Sequence, residues 1–200
     1  TRVSLPTGRA LILVSAEGEN SIVVVSGANQ AVLVDDIPAA AVVLSQLEVP
    51  VAAIESSFQR ARAEGAITVL NPAPAMAVPD SLLALCDIVT PNEHEVGLMG
   101  GVERLLGLGA RAVVVTLGSK GAAIHTADGV QPIAPFPVEP VDTTGAGDTF
   151  SGALCARLAA GDDLATAARF ASAAGALCTT TAGAVPSIPH RSAVETMLAG

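Results

Sequence analysis

The chain has 200 residues, half of them apolar, which suits one domain with a substantial core; 19 glycines and 13 prolines are too few for a disordered chain. Ten basic against 19 acidic side chains give a net charge of −9, and Lys120 is the single lysine. This excludes a nucleic-acid partner, which needs clustered cations to neutralise phosphates, and the absence of Trp and Tyr removes base-stacking platforms.

From the first residues onward, 10–14 and 21–25 are β-rich runs around a Gly/Asn/Glu-rich turn at 15–20, the pattern of a hairpin. Residues 26–30 look like a loop. A short strand at 41–44 is followed by a helix that Pro50 opens and Gly65 closes. The strand at 67–70 stops at Asn71-Pro72-Ala73-Pro74. A helix at 79–84, a strand at 87–90 ended by Pro91, and a helix at 102–108 come next. The stretches near Gly100 and 35–38 look short for complete crossovers. Residues 112–117 are Val-rich, as in strands buried on both faces. A second hairpin, 122–126 with 130–133, turns at Asp128-Gly129. Helices are expected at 149–160, 164–178 and 192–198.

Strands alternating with helices imply a mostly parallel sheet covered on both faces, with ligands bound beyond the carboxyl ends of the strands. Glu48, the Asn71 loop, Asn92 to Glu95, Thr116 to Gly121 and the Asp142 loop all follow such ends. The longest apolar runs fall well short of the roughly 18 residues that a membrane span needs, so no membrane partner is expected. Cys86, Cys155 and Cys178 have no metal or disulfide spacing and read as buried thiols of a reducing compartment. No basic, apolar and small-residue sequence opens the chain as a secretory signal would. A cytoplasmic location is therefore expected.

The most informative segment is Asp142-Thr143-Thr144-Gly145-Ala146-Gly147-Asp148-Thr149-Phe150. Its small residues let consecutive N–H groups line one concavity at a helix start, where the dipole favours an anion. Asp148 lies where it could accept a proton from an attacking hydroxyl during phosphoryl transfer. The simpler reading makes Asp148 a helix N-cap. Asn92 and Glu95, three apart, would share a helical face as oxygen ligands, or form a capping box.

These nine residues resemble the second signature of the ribokinase, or PfkB-type, carbohydrate kinases. Gly18-Glu19-Asn20, Ser26-Gly27-Ala28-Asn29, Gln46-Leu47-Glu48, Asn71-Pro72-Ala73-Pro74, Thr90-Pro91-Asn92-Glu93-His94-Glu95, Thr116-Leu117-Gly118-Ser119-Lys120-Gly121 and Gly183-Ala184-Val185-Pro186-Ser187 follow in the family's order. The resemblance implies a three-layer α/β/α ribokinase-like fold over residues 1–200, taken as one domain without the N-terminal sugar-binding segment and most lid strands. It further implies ATP-dependent phosphorylation of a sugar, ribose at O5 in the subgroup to which Gly18-Glu19-Asn20 and Asn71-Pro72-Ala73-Pro74 point. The alternatives are a kinase for fructose, deoxyribose or a nucleoside, and a non-catalytic nucleotide or sugar sensor.

Carried over by the resemblance, Asp148 is the base, and the amides of Gly145, Ala146 and Gly147 form the anion hole. Asn92, Thr116, Gly118, Ser119, Gly121, Gly147 and Ser172 lie along ATP, while Glu48 and Asp148 face the sugar. Asn92 and Glu95 are tied to Mg2+. Asp142, Thr144, Cys178, Thr181, Gly183 and Ser187 match potassium positions, most through backbone carbonyls, the ligand type suited to K+. The resemblance also leaves a homodimer open, since family members pair through lid strands.

Overall fold

The structure is a computed structural model, described over residues 3–14, 20–32 and 38–200. Most of the expected first turn, including Gly18 and Glu19, and residues 35–37 lie outside the described residues. Strands β1 (Arg9–Val14) and β2 (Asn20–Val25) form a two-stranded antiparallel ribbon, Leu11 opposite Val23. The expected loop at 26–30 is instead largely a 3-10 turn, Gly27–Ala31.

The main sheet has six strands in chain order: β3 (Val42–Ser45), β4 (Ile67–Leu70), β5 (Ile88–Val89), β6 (Ala112–Thr116), β7 (Ala122–Thr126) and β8 (Gly129–Ile133). From β3 to β6 the pairing is parallel, and β7 and β8 add antiparallel strands. Pro132 is tolerated in β8 because this is an edge strand, where a lost N–H donor need not break a ladder.

Strand alternation divides the core. Val69, Ile88, Ala112 and Val114 pack against Phe150 and Leu154 of α5 (Ala146–Ala159) and Ala167 and Ala171 of α6 (Leu164–Cys178). Their neighbours Leu70, Val89, Val113 and Val115 point the other way. They meet Ile54 and Phe58 of α1 (Val51–Ala63), Leu82 and Leu83 of α2 (Asp80–Leu83), and Leu105 of α4 (Val102–Gly107). Helix α7 (Arg191–Ala199) packs on α6, Val194 against Phe170 and Ala173. Three layers result, with both faces of the central strands covered, as Val-rich strands require.

Between β5 and β6 the crossover holds two short helices, α3 (Glu93–Leu98) and α4, where one was expected. The chain turns at Gly100-Gly101, the Gly101 amide donating to Val96 O at 2.9 Å. A helix start at Asn92 was expected from its capping-box spacing with Glu95, but six residues are too few to show by periodicity that a separate helix follows.

At the amino-terminal end of the central strands, buried Asp87 ties the sheet together. Its Oδ2 accepts the Thr68 amide at 2.9 Å, and Oδ1 faces Arg111 at 3.1 Å and Arg62 at 3.6 Å. Asp87→Ala would leave the Thr68 N–H buried without this acceptor and two guanidinium groups unpaired. Urea unfolding should register a loss of about 3 kcal/mol; a change too small to measure would contradict this role.

Candidate active site

Parallel pairing sends the chain out of β3, β4, β5 and β6 along one edge of the sheet. Loops there are joined by backbone bonds: the Leu47 amide donates to Ala73 O at 2.7 Å, and the Asn71 amide to Ser45 O at 2.9 Å. Asn92 bridges Thr116 in parallel, and the Thr116 amide donates to Pro91 O at 2.9 Å, so the Asn92 and Thr116 segments lie side by side. Helix α5 starts at the same edge, because Ser151 in its second turn contacts Thr90, just beyond β5, hydroxyl to hydroxyl at 3.1 Å.

The start of α5 lies three residues earlier than the sequence suggests, at Ala146, with Gly145 as N-cap. Gly145 has φ 77°, the left-handed region that a residue with a side chain enters at a cost. A Cβ there would meet Ala184 only at an ordinary 3.6 Å, so conformation rather than room calls for glycine. Asp148 is therefore the third helical residue and not the N-cap. Its carboxylate is exposed and has no hydrogen-bond partner among the described residues.

Of the three expected hole amides, that of Ala146 closes the turn on Thr143 O at 3.2 Å. Gly145 and Gly147 have no backbone acceptor among the described residues, and neither does the amide of Asp148 itself. This last donor was missed because the helix was placed from Thr149. A groove of about 550 Å3 begins at Gly145 and Asp148 and follows α5 past Gly152 to Ala156, with Val185 and Ile188 opposite. Helix α5 also packs against β3, the strand that leads to Glu48.

Asn92 and Glu95 form the capping box of α3. The Glu95 amide donates to Asn92 Oδ1 and the Asn92 amide to Glu95 Oε2, both at 2.8 Å. Burial pushes the Glu95 carboxyl above its ordinary range, against the Asn92 amide, which lowers it. One oxygen of Glu95 is thus engaged and the other is left over. Among the described residues no group of three or more His, Cys, Asp or Glu could hold a metal ion. A divalent ion here would draw most of its ligands from phosphates and water, as Mg2+ commonly does.

Asp142 links two loops: Oδ1 accepts the Thr144 amide at 2.9 Å and Oδ2 the Gly183 amide at 2.8 Å. The Thr144 hydroxyl, the Gly183 amide and the Thr144 amide hold its carboxyl at about 2, well below the ordinary 3.8. Thr179 O receives the amides of Val141 and Asp142 at 2.7 and 3.0 Å, fastening the same loop to the end of α6. Asp142 thus draws the Thr144 and Gly183 backbones to one ionised carboxylate, and the Cys178 sulfur lies 3.8 Å from Thr144 O; a carboxylate with backbone oxygens in the same loops is the chemistry a monovalent cation accepts. Cys178 O already accepts the Thr181 amide at 3.4 Å, and Ser187 is buried beneath the turn.

Other expected residues stand apart. Glu48 is exposed and without a hydrogen-bond partner among the described residues, and Ser172 sits on α6 at 8% exposure with no link to the Thr116 loop. Gly118 and Ser119 are exposed in a 3-10 turn. Gly121 serves the fold: a Cβ there would lie 2.2 Å from Ile133 O, so the approach of β8 demands glycine at this position.

The chain matches the family described as pfkB family carbohydrate kinase over residues 3–191. It belongs to that family. It is 42% identical to the ribokinase of Staphylococcus aureus over 92% of this chain and 67% of the relative. It is 38% identical to the ribokinase of Haemophilus influenzae over the same shares of each. Among solved structures, ribokinase from Thermotoga maritima superposes with a TM-score of 0.90 at 34% identity, covering 100% of this chain and 72% of that one. Arabidopsis thaliana ribokinase, solved complexed with ribose and ATP, gives 0.86 at 31% identity, covering 98% and 70%. The chain thus spans about two thirds of the length of these ribokinases. As a carbohydrate kinase it is a phosphotransferase with an alcohol group as acceptor. No helix among the described residues is long and apolar enough to cross a membrane.

The Asp142 bonds give the kinase a pH signature. A carboxylate whose folded pKa is depressed stabilises the fold above its unfolded pKa and ceases to do so as pH falls through the folded value. Asp142→Asn should therefore be less stable than the parent at pH 6. The thermal-melt difference should narrow between pH 4 and about 2; a difference constant across that range would mean that these bonds do not depend on the charge.

Proposed function

We propose that this kinase transfers the γ-phosphoryl group of ATP to O5 of D-ribose, with Asp148 as the base. The observation that carries the reading is the first turn of α5. There an exposed, unengaged carboxylate shares one helix end with the amides of Gly145, Gly147 and Asp148, which have no acceptor among the described residues. Relatives at 42% and 38% identity named as ribokinases, and a similar structure solved with ribose and ATP, support the choice of ribose.

In this mechanism ATP lies along the strand-end loops, its base near Ser172 and its phosphates passing Asn92, Thr116, Gly118 and Ser119 towards Gly145. Three preorganised amides meet the charge that builds on the transferring group, a contribution that needs no reorganisation during reaction. The sugar approaches the exposed Asp148, and Glu48, which follows β3, offers a second carboxylate for its hydroxyls. Phosphoryl transfer is loose, so the attacking hydroxyl loses its proton late and Asp148 needs only to receive it. As O5 bonds to phosphorus, the bond to the β-phosphate oxygen breaks and ADP leaves; the proton stays on Asp148 until solvent takes it.

Two ions complete the reading. Mg2+, when bound, would neutralise phosphate charge, and Asn92 and Glu95 are the residues that would hold it, with phosphate and water oxygens. K+ would be held by Asp142, Thr144, Cys178, Thr181, Gly183 and Ser187, next to the loop that ends in Gly145. A second copy of the chain is the partner proposed for the β1–β2 ribbon, whose Leu11, Leu13 and Val23 are 61%, 64% and 51% exposed.

Asp148→Asn keeps the shape of the helix end and removes the proton acceptor. Its kcat should fall about a thousandfold in a coupled ADP-release assay, with ATP affinity nearly unchanged. A variant that keeps most of its rate would refute the role of the base. In the same assay D-ribose should exceed fructose, deoxyribose and nucleosides in kcat/KM; a preference for one of these would reassign the substrate, and ATP binding with no sugar-dependent ADP release would favour a sensor.

A further inference from the structure

The Cys178 side chain plays no part in the reading above, which uses only its carbonyl. Yet the thiol is fully buried at the last residue of α6 and touches three different segments. Thr149 Oγ1, in the first turn of α5, donates to Sγ at 3.3 Å. Ser187 Oγ lies 3.1 Å away and Thr144 O 3.8 Å away.

Proton accounting orders the cluster. The Ser187 hydroxyl donates to Ala184 O at 2.8 Å, and Thr149 spends its proton on sulfur. The thiol proton is left for Ser187 Oγ, with Thr144 O as its alternative acceptor. Every donor is then used, which matters in a buried cluster where a lost partner is costly.

From this geometry we propose that the Cys178 thiol is a positioning residue for phosphoryl transfer, fixing the first turn of α5 against the loop that ends at Ser187. The proposal rests on the function proposed above. The Thr149 bond limits rotation of the turn that carries Asp148 and the Gly147 and Asp148 amides. The Ser187 bond holds the loop whose Ala184 backs Gly145 at 3.6 Å from the position of a Cβ. Sulfur suits the place because its long bonds and large radius reach groups 3.1 to 3.8 Å distant at once. Misalignment of the base and the hole would weaken the transition state more than ATP binding, so the cost falls on kcat.

The test compares Cys178→Ala, Cys178→Ser, Thr149→Val and the Cys178→Ala/Thr149→Val double variant of the intact protein. Alanine should lower kcat about tenfold, with the ATP KM and the melting temperature little changed. Serine, which keeps a donor and an acceptor, should recover most of the rate. The double variant should be no worse than the worse single one, the non-additivity expected of a shared contact. A normal rate in Cys178→Ala, additive losses, or a loss that serine does not restore would each overturn the proposal.

A second measurement does not need turnover. Maleimide labelling of Cys178, followed by peptide mass spectrometry, should be faster in Thr149→Val than in the parent. Equal labelling rates would overturn the bond to Thr149 even in a protein without sugar-kinase activity, an outcome that would itself refute only the functional reading.

Discussion

A helix can present free amides to an anion only where its first turn is neither capped nor buried, and α5 meets that condition through one residue. Gly145 in the left-handed region brings the chain into the helix without a capping side chain. The amides of Gly147 and Asp148 therefore end without an acceptor, and the helix dipole reinforces the positive potential they create. Asp148 is stable at this end of the helix because a negative charge is favoured there. The place of the Asp148 carboxylate and the open amides beside it are consequences of one turn.

That turn is useful only if it is held still. Below it, Phe150 and Leu154 are buried against the sheet, and the Ser151–Thr90 contact fixes α5 to the end of β5. Beside it, Asp142 and Cys178 bind the preceding loop and the helix to the segment after α6. Apolar packing sets the depth of α5, while these polar ties set its rotation. The chain thus combines an alanine-rich buried face of α6, against which Phe150 and Leu154 of α5 pack closely, with a few hydrogen bonds that remove the remaining freedom.

Much of this was legible in the sequence where residues act locally. The strand Ile67–Leu70 and the helix Leu164–Cys178 fall where expected, because Gly65 and Pro72 bracket the strand and Asp163 caps the helix through the Thr166 amide. The sharing of one sheet edge by the Asn92 and Thr116 segments also followed, since parallel strands leave no other place for their carboxyl ends. What failed depends on contacts distant in the chain. The α5 start was placed late because Thr-Thr-Gly-Ala-Gly holds no capping pattern. That β8 lies against Gly121 and requires glycine there was likewise not legible. The reach of the Cys178 thiol to Ser187 and Thr144 has no sequence signal at all, being set by how α6 ends against two loops.

The central claim is that the amides of the first turn of α5, and not another part of the sheet edge, receive the transferring charge. Amide NMR with ADP, Mg2+, ribose and a fluoroaluminate that mimics the transferring phosphoryl group tests it directly. The account predicts large shifts for the Gly145, Gly147 and Asp148 amides, with a small one for Ala146, whose N–H is already bonded to Thr143. Shifts confined to the Thr116 to Gly121 segment, with the α5 amides unmoved, would contradict it.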